Sequence, residues 1–292
     1  MGEMDEDRVY DDRRRETVAY LATGQGVATV RGASDRVGRF SLAHRCDARD
    51  VATADGRVYV ATPAGVLAGK GASDGSAPGG FDSLGFDDAV AVTADGERVL
   101  AANGDGAVAR YRGGEWRSVG TVGDVRALSG AFVAAADGVY RVVSDGDTDA
   151  EDGEDSATLR NVGLDDVRDV AGGATPLAAT GDGLYRLGNG WLCEREGGFE
   201  TVASGVTETD GTERAHAATA GTLYAREAGE WTSVELPVAG AVTGVAYGEC
   251  VYAVTRDGTF LVAASPERTA DGTGGWRHRS LGLPDVTGLA VV

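Results

Sequence analysis

The stretch Val58-Tyr59-Val60-Ala61-Thr62-Pro63-Ala64-Gly65-Val66 reads as two short apolar runs joined by a tight turn that ends in glycine. Two β-prone runs hinged on a residue free to take positive φ are the strongest local signal for a hairpin. The pattern also stands at Ala19-Tyr20-Leu21-Ala22-Thr23-Gly24-Gln25-Gly26-Val27 and at Val99-Leu100-Ala101-Ala102-Asn103-Gly104-Asp105-Gly106-Ala107. Later copies turn at Asp137-Gly138, Asp182-Gly183, Ala220-Gly221 and Asp257-Gly258. The turn glycines recur at intervals of roughly 40 residues, the period of a four-stranded propeller blade.

Two further strands complete each unit. Ahead of the hairpin lies a run such as Asp50-Val51-Ala52, Asp88-Ala89-Val90, Asp124-Val125-Arg126 or Asp166-Val167-Arg168, with Val206 and Val242 opening the next two. Behind it lies a strand opened by glycine and an aromatic: Gly80-Phe81, Gly114-Glu115-Trp116, Gly198-Phe199, Gly229-Glu230-Trp231 and Gly275-Trp276. Helical periodicity is absent over any useful length.

The ends set the blade count. The first hairpin lacks an opening run, and the chain finishes with Asp285-Val286-Thr287-Gly288-Leu289-Ala290-Val291-Val292, which has the missing form. Pairing of this last strand with the first hairpin would close the ring and remove exposed sheet edges. The reading is an all-β, seven-bladed β-propeller over residues 17–292, a single domain, preceded by a disordered charged arm over residues 1–16.

Charge narrows the partners. The chain has 292 residues with 27 Lys+Arg against 46 Asp+Glu, a net charge of −19. Such a field repels phosphate backbones and anionic headgroups, so neither nucleic acid nor a membrane surface is expected as a partner. Lys70 is the single lysine, and 29 of the acids are Asp. Arginine in place of lysine with an Asp-rich acid excess suggests a protein adapted to concentrated salt, where a Debye length of about 3 Å at 1 M screens self-repulsion. The polar start Met1-Gly2-Glu3-Met4-Asp5-Glu6-Asp7 shows no signal-peptide core. Cys46, Cys193 and Cys250 form no CxxC pair. Both features favour a cytoplasmic setting with reduced thiols, and a monomer is expected.

The hairpin copies resemble the Tyr-Val-Ala-Thr-x-x-Gly propeller repeats of several superfamilies. As a whole, residues 17–292 resemble a family of uncharacterised seven-bladed propeller proteins of halophilic archaea. The resemblance implies a fold and a lineage and carries over no catalytic residue. The WD dipeptide of WD40 blades is missing.

Candidate chemistry is sparse. Aligned as above, Asp50, Asp88, Asp124, Asp166 and Asp285 would ring one channel mouth, where carboxylates could hold a cation. The plainer reading is that Asp precedes strands as a turn former. Arg49, Arg126 and Arg168 lie beside these acids and are expected to pair with them or meet a partner. Trp116, Trp231 and Trp276 share one repeat position and read as packing, whereas Trp191 departs from it and is the aromatic proposed to meet a ligand. The acidic run over 144–155 fails the EF-hand pattern, with Ala150 and Ser156 where Gly and Glu are required. It reads as an inserted loop, as do 71–79 and 266–275. His44, His216 and His278 fall in different blades and read as surface or packing residues. The leading expectation is a non-enzymatic scaffold for protein–protein interaction, with no cofactor beyond a possible channel-mouth cation. The alternatives are a hydrolase or lyase acting at the channel, and a small-molecule or glycan-binding module.

Overall fold

The computed structural model describes residues 17–33, 36–69, 80–96, 98–144, 156–207, 211, 213–227, 229–264 and 275–292. The N-terminal arm, Lys70 and most of the three inserted segments lie outside the described residues.

Seven four-stranded antiparallel sheets follow one another around a ring. Blade 1 contains β1 (Thr17–Thr23), β2 (Gly26–Ala33) and β3 (Arg36–His44). Blade 2 runs through β4 (Asp50–Ala54), β5 (Arg57–Thr62), β6 (Gly65–Gly69) and β7 (Phe81–Gly85). Blade 3 is β8 (Ala89–Asp95), β9 (Arg98–Asn103), β10 (Ala107–Arg112) and β11 (Glu115–Thr121). Blade 4 is β12 (Val125–Ser129), β13 (Phe132–Ala135), β14 (Gly138–Ser144) and β15 (Ala157–Gly163). Blade 5 comprises β16 (Val167–Ala171), β17 (Leu177–Thr180), β18 (Gly183–Leu187) and β19 (Trp191–Glu196). Blade 6 comprises β20 (Thr201–Val206), β21 (Glu213–Ala218), β22 (Leu223–Glu227) and β23 (Glu230–Val234). Blade 7 holds β24 (Val242–Tyr247), β25 (Val251–Thr255), β26 (Thr259–Ala264) and β27 (Gly275–Ser280), after which β28 (Val286–Val291) returns to blade 1.

The ring closes as the sequence requires. β28 pairs antiparallel with β1, Tyr20 opposite Ala290 and Leu21 opposite Leu289, with a bulge at Ala22/Thr23. The blade therefore has the order β28-β1-β2-β3, its innermost strand coming from the far end of the chain.

The uninterrupted apolar runs now have a physical reason. A second strand such as β5 is covered on both faces, by the blade before and the blade after. Val58 and Val60 face the junction with blade 1, whereas Tyr59 and Ala61 face blade 3. Seven buried clusters result, one at each blade junction. A strand buried on both sides has no polar face to alternate with. The hairpin glycine is required at Gly106: its φ is +82°, and a Cβ would lie 2.0 Å from the Val122 carbonyl oxygen.

Two strand assignments are corrected. Gly198-Phe199 does not open an outer strand; Phe199 is fully buried at the junction of blades 5 and 6, just ahead of β20. Val206 ends β20 rather than beginning it. The outer strand of blade 5 is β19, opened by Trp191. Among the described residues, no helix is long and apolar enough to cross a membrane.

Candidate functional site: the central channel

The inner strands of all seven blades line one cavity of about 750 Å³ on the ring axis. Its charged mouth lies where the inner strands begin. Asp88, Asp124, Asp166 and Asp285 stand there at equivalent positions, each exposed and each in the left-handed region, with φ of 54°, 49°, 46° and 55°. Asp adopts that conformation more readily than most residues because its short side chain can bond locally. These four are turn residues that aim the chain into the inner strand.

Asp50 is not the fifth member of that set. It pairs with Ala61, one residue before Thr62, whose hydroxyl bonds the Gly65 carbonyl. The residue in the same place in blade 5 is Asp169, paired with Ala179 one residue before Thr180, whose hydroxyl bonds the Gly183 carbonyl. The alignment is then Asp47-Ala48-Arg49-Asp50-Val51-Ala52 with Asp166-Val167-Arg168-Asp169-Val170-Ala171. Asp47 is the counterpart of the turn aspartates, and Asp50 and Asp169 sit one layer deeper in the channel. The five-membered ring of equivalent carboxylates is thus replaced by two tiers. Among the described residues, no group of three or more His, Cys, Asp or Glu side chains is arranged to hold a metal ion.

The three arginines form one tier of ties between blades. Arg49 of blade 2 reaches Asp88 of blade 3 at 2.7 Å, and Arg126 of blade 4 reaches Asp166 of blade 5 at 2.7 Å. Arg168 of blade 5 bonds Glu200, at the head of blade 6. The Arg126 guanidinium holds the Asp166 carboxyl below the usual carboxylate range. All these groups are largely in contact with solvent, where such pairs contribute little individually.

The deeper carboxylates bond backbone. Asp50 accepts from the N–H of Val51 at 2.8 Å and, across the junction, from the N–H of Val92 at 2.9 Å. Asp169 accepts from Val170 at 2.8 Å, from Val202 across the junction at 2.9 Å, and from the Thr201 hydroxyl at 2.6 Å. Enclosure by protein dominates these N–H bonds and pushes Asp50 up to about 7 and Asp169 to about 6, the charge of Asp169 adding to the rise at Asp50. Sequence reading missed Asp169; the signal was the shared Asp-x-Arg-Asp-Val-Ala string.

Other junctions are clipped by neutral groups. The Thr53 hydroxyl donates to the Val291 carbonyl, and the hydroxyls of Thr93 and Ser129 accept from the N–H groups of Gly130 and Gly172. Between blades 6 and 7, the Tyr247 hydroxyl donates to the Ala203 carbonyl at 3.1 Å and meets His216 Nδ1 at 2.9 Å. Burial pushes His216 down to about 4. His44 lies against Phe81, and His278 is exposed on β27.

Trp191 does not depart from the repeat. Its Nε1 donates to the Val162 carbonyl of blade 4 at 2.9 Å, just as Trp116 Nε1 donates to the Leu84 carbonyl of blade 2 at 2.8 Å. Its ring is packed into the junction of blades 4 and 5. Replacing it tests this placement: Trp191→Phe is expected to lose about 1 kcal/mol in denaturant unfolding, the contribution of one hydrogen bond with the packing largely kept. A loss below about 0.3 kcal/mol would remove the tryptophan from the junction's support.

Fold and channel define a seven-bladed β-propeller with ties between neighbouring blades around its axis. The chain belongs to the HVO_0234-like beta propeller family, whose profile matches residues 3–292. No match was found among curated proteins. Among solved structures it is similar to two proteins provisionally named as 6-phosphogluconolactonases. The one from Bacteroides fragilis has a TM-score of 0.61 at 13% identity, covering 95% of this chain and 98% of that one. The one from Bacteroides uniformis has a TM-score of 0.62 at 13% identity, covering 95% and 100%. The WD40 beta propeller domain of Doa1 aligns with a TM-score of 0.55 at 11% identity over 86% of each chain. At these identities the likeness is one of fold.

Proposed function

We propose that the protein is a non-enzymatic scaffold that presents a rigid disc to another protein, in a cytoplasm of high salt. The observation that carries this reading is the blade-to-blade use of the channel's polar groups: Arg49, Arg126, Arg168, Asp50 and Asp169 each bond the next blade. A disc tied in this way loses little freedom when it docks, which lowers the cost of association. Exposed apolar side chains offer contact points: Val206 at the end of β20, 54% exposed, and Leu192 on the outer strand β19, 52% exposed.

The test is capture from native extract in high salt by the wild-type chain and by Val206→Glu and Leu192→Glu. The reading expects one partner lost from one variant whose melting temperature is unchanged. Retention of every captured protein by both folded variants would overturn it. The high-salt setting has its own measurement. With a net charge of −19, the melting temperature should rise as KCl goes from 0.1 to 1 M; a flat profile would count against that setting.

A second reading places a hydrolase or lyase site in the channel, with a cation at its mouth as a further option. Asp50, raised to about 7, and Asp169, raised to about 6, line one cavity with acidities suited to a general acid and a base. A substrate panel run on wild type and Asp50→Asn, with elemental analysis of protein purified in high salt, separates it from the scaffold. A turnover abolished by the substitution would favour the enzyme.

A further inference from the structure

Among the described junctions, four carry a backbone N–H that crosses to a side-chain acceptor of one of two chemically different kinds. At junctions 3–4 and 4–5 the bridging acceptors are hydroxyls, Thr93 Oγ1 for the Gly130 N–H at 3.1 Å and Ser129 Oγ for the Gly172 N–H at 3.0 Å. At junctions 2–3 and 5–6 they are the carboxylates of Asp50 and Asp169, for the N–H groups of Val92 and Val202. A hydroxyl bridge does not titrate in the neutral range; a carboxylate bridge does. We infer that junctions 2–3 and 5–6 form a pH-dependent clamp in the channel wall, held most tightly in acid and loosening as the pH rises toward neutrality.

Among the described residues, no arginine is salt-bridged to either carboxylate. Near Asp50 are Arg49 on the same segment and Asp88 at the head of β8, which bond each other, Asp285 at the head of β28, and Asp169 on the far side of the channel. Near Asp169 are Arg168, bonded to Glu200 at the head of β20, and Arg126 on β12, bonded to Asp166. Arg49, Arg126 and Arg168 are each committed to an acid of the outer tier, and Arg256, just after β25 in blade 7, is a further cation lining the same cavity. An ionised carboxylate in this wall is held by N–H and O–H dipoles. Local separation of the two inner strands turns this partly exposed carboxyl fully to water and restores its ordinary acidity.

The sign follows from linkage. Both folded-state values lie above the ordinary Asp value, so the closed wall binds more protons than the open one, and closure weakens as pH rises toward those values. His216 has the opposite sign, since its folded-state value is depressed and it destabilises the fold in acid. Global melting mixes the two, and a local readout is needed.

Amide hydrogen exchange at single residues supplies it, with two matched pairs inside one molecule. Between pH 5 and 8, the protection factor of the Val92 amide should fall roughly 100-fold and that of Val202 roughly tenfold. Those of Gly130 and Gly172, corrected for intrinsic rates, should change by less than about threefold. In Asp169→Asn the pH response at Val202 should vanish while that at Val92 persists; should this variant not fold, Asp50→Asn with the roles exchanged serves equally. The same pH response at all four amides of the wild-type protein, or a rise in protection at Val92 and Val202, overturns the clamp.

Discussion

A chain ending at Pro284 is expected to fold no longer as a cooperative disc. The missing strand carries Val286, 1% exposed, and Ala290, and it covers the inner edge of β1 from Ala19 to Thr23. Its removal strips one wall from the clusters at two junctions at once, 7–1 and 1–2. Each buried aliphatic side chain contributes about 1.5–3 kcal/mol, and several lose their cover together. The total is comparable to the whole stability of a typical domain, about 5–15 kcal/mol. The edge of β1 would also be left as a template for pairing with other chains. Circular dichroism should show no sharp thermal transition, and size exclusion should show aggregates. A peptide spanning 285–292, added in excess, should restore a transition by filling the vacant edge. A truncated monomer melting within a few degrees of the full chain would show that the ring does not depend on closure.

Phe199→Ala should strongly damage the junction of blades 5 and 6. The ring is fully buried among Leu177, Leu184, Val202 and Ala217, and lies 5.7 Å from the Tyr224 ring. Loss of a large aromatic from such a site costs about 3–5 kcal/mol, because rigid sheets on either side do not collapse into the cavity. For a domain of this size that corresponds to a fall of roughly 5–15 °C in melting temperature. Phe40→Ala makes the control: Phe40 is 38% exposed on β3 and meets the Arg279 guanidinium, so its loss should stay below about 1 kcal/mol. Equal effects at the two positions would mean that Phe199 does not stand between blades 5 and 6.

The contrast between these phenylalanines shows where sequence reading succeeds and where it slips. Tyr59, Tyr20 and their neighbours announce the second strand of each blade through an unbroken apolar run, because that strand is buried on both faces. The outer strands are half exposed and carry a weaker signal, glycine followed by an aromatic. Gly198-Phe199 shares that signal by coincidence, and it drew the outer strand of blade 5 away from Trp191. The inner strands slipped differently. Asp47-Ala48-Arg49-Asp50-Val51-Ala52 contains the Asp-Val or Asp-Ala cue at two offsets, three residues apart. Of the five blades that begin this strand with a bulge, four place an aspartate just ahead of it and blade 7 places Ala241 there, whereas the register with Ala61 puts Asp50 three residues further on.

Seven hairpins of one apolar pattern, a final strand without a partner of its own and a large acid excess are local or additive properties, and the chain alone determined them. The tiers of the channel are of another kind. That Arg49 meets Asp88, that Asp50 clips Val92, and that Asp169 faces Asp50 from the other side of the axis depend on blade rotation and on a one-residue bulge. Neither leaves a mark in composition or period. Tertiary structure decided them, because the acidity of a carboxyl depends on what encloses it, and in a ring the enclosing groups come from other blades, far along the chain.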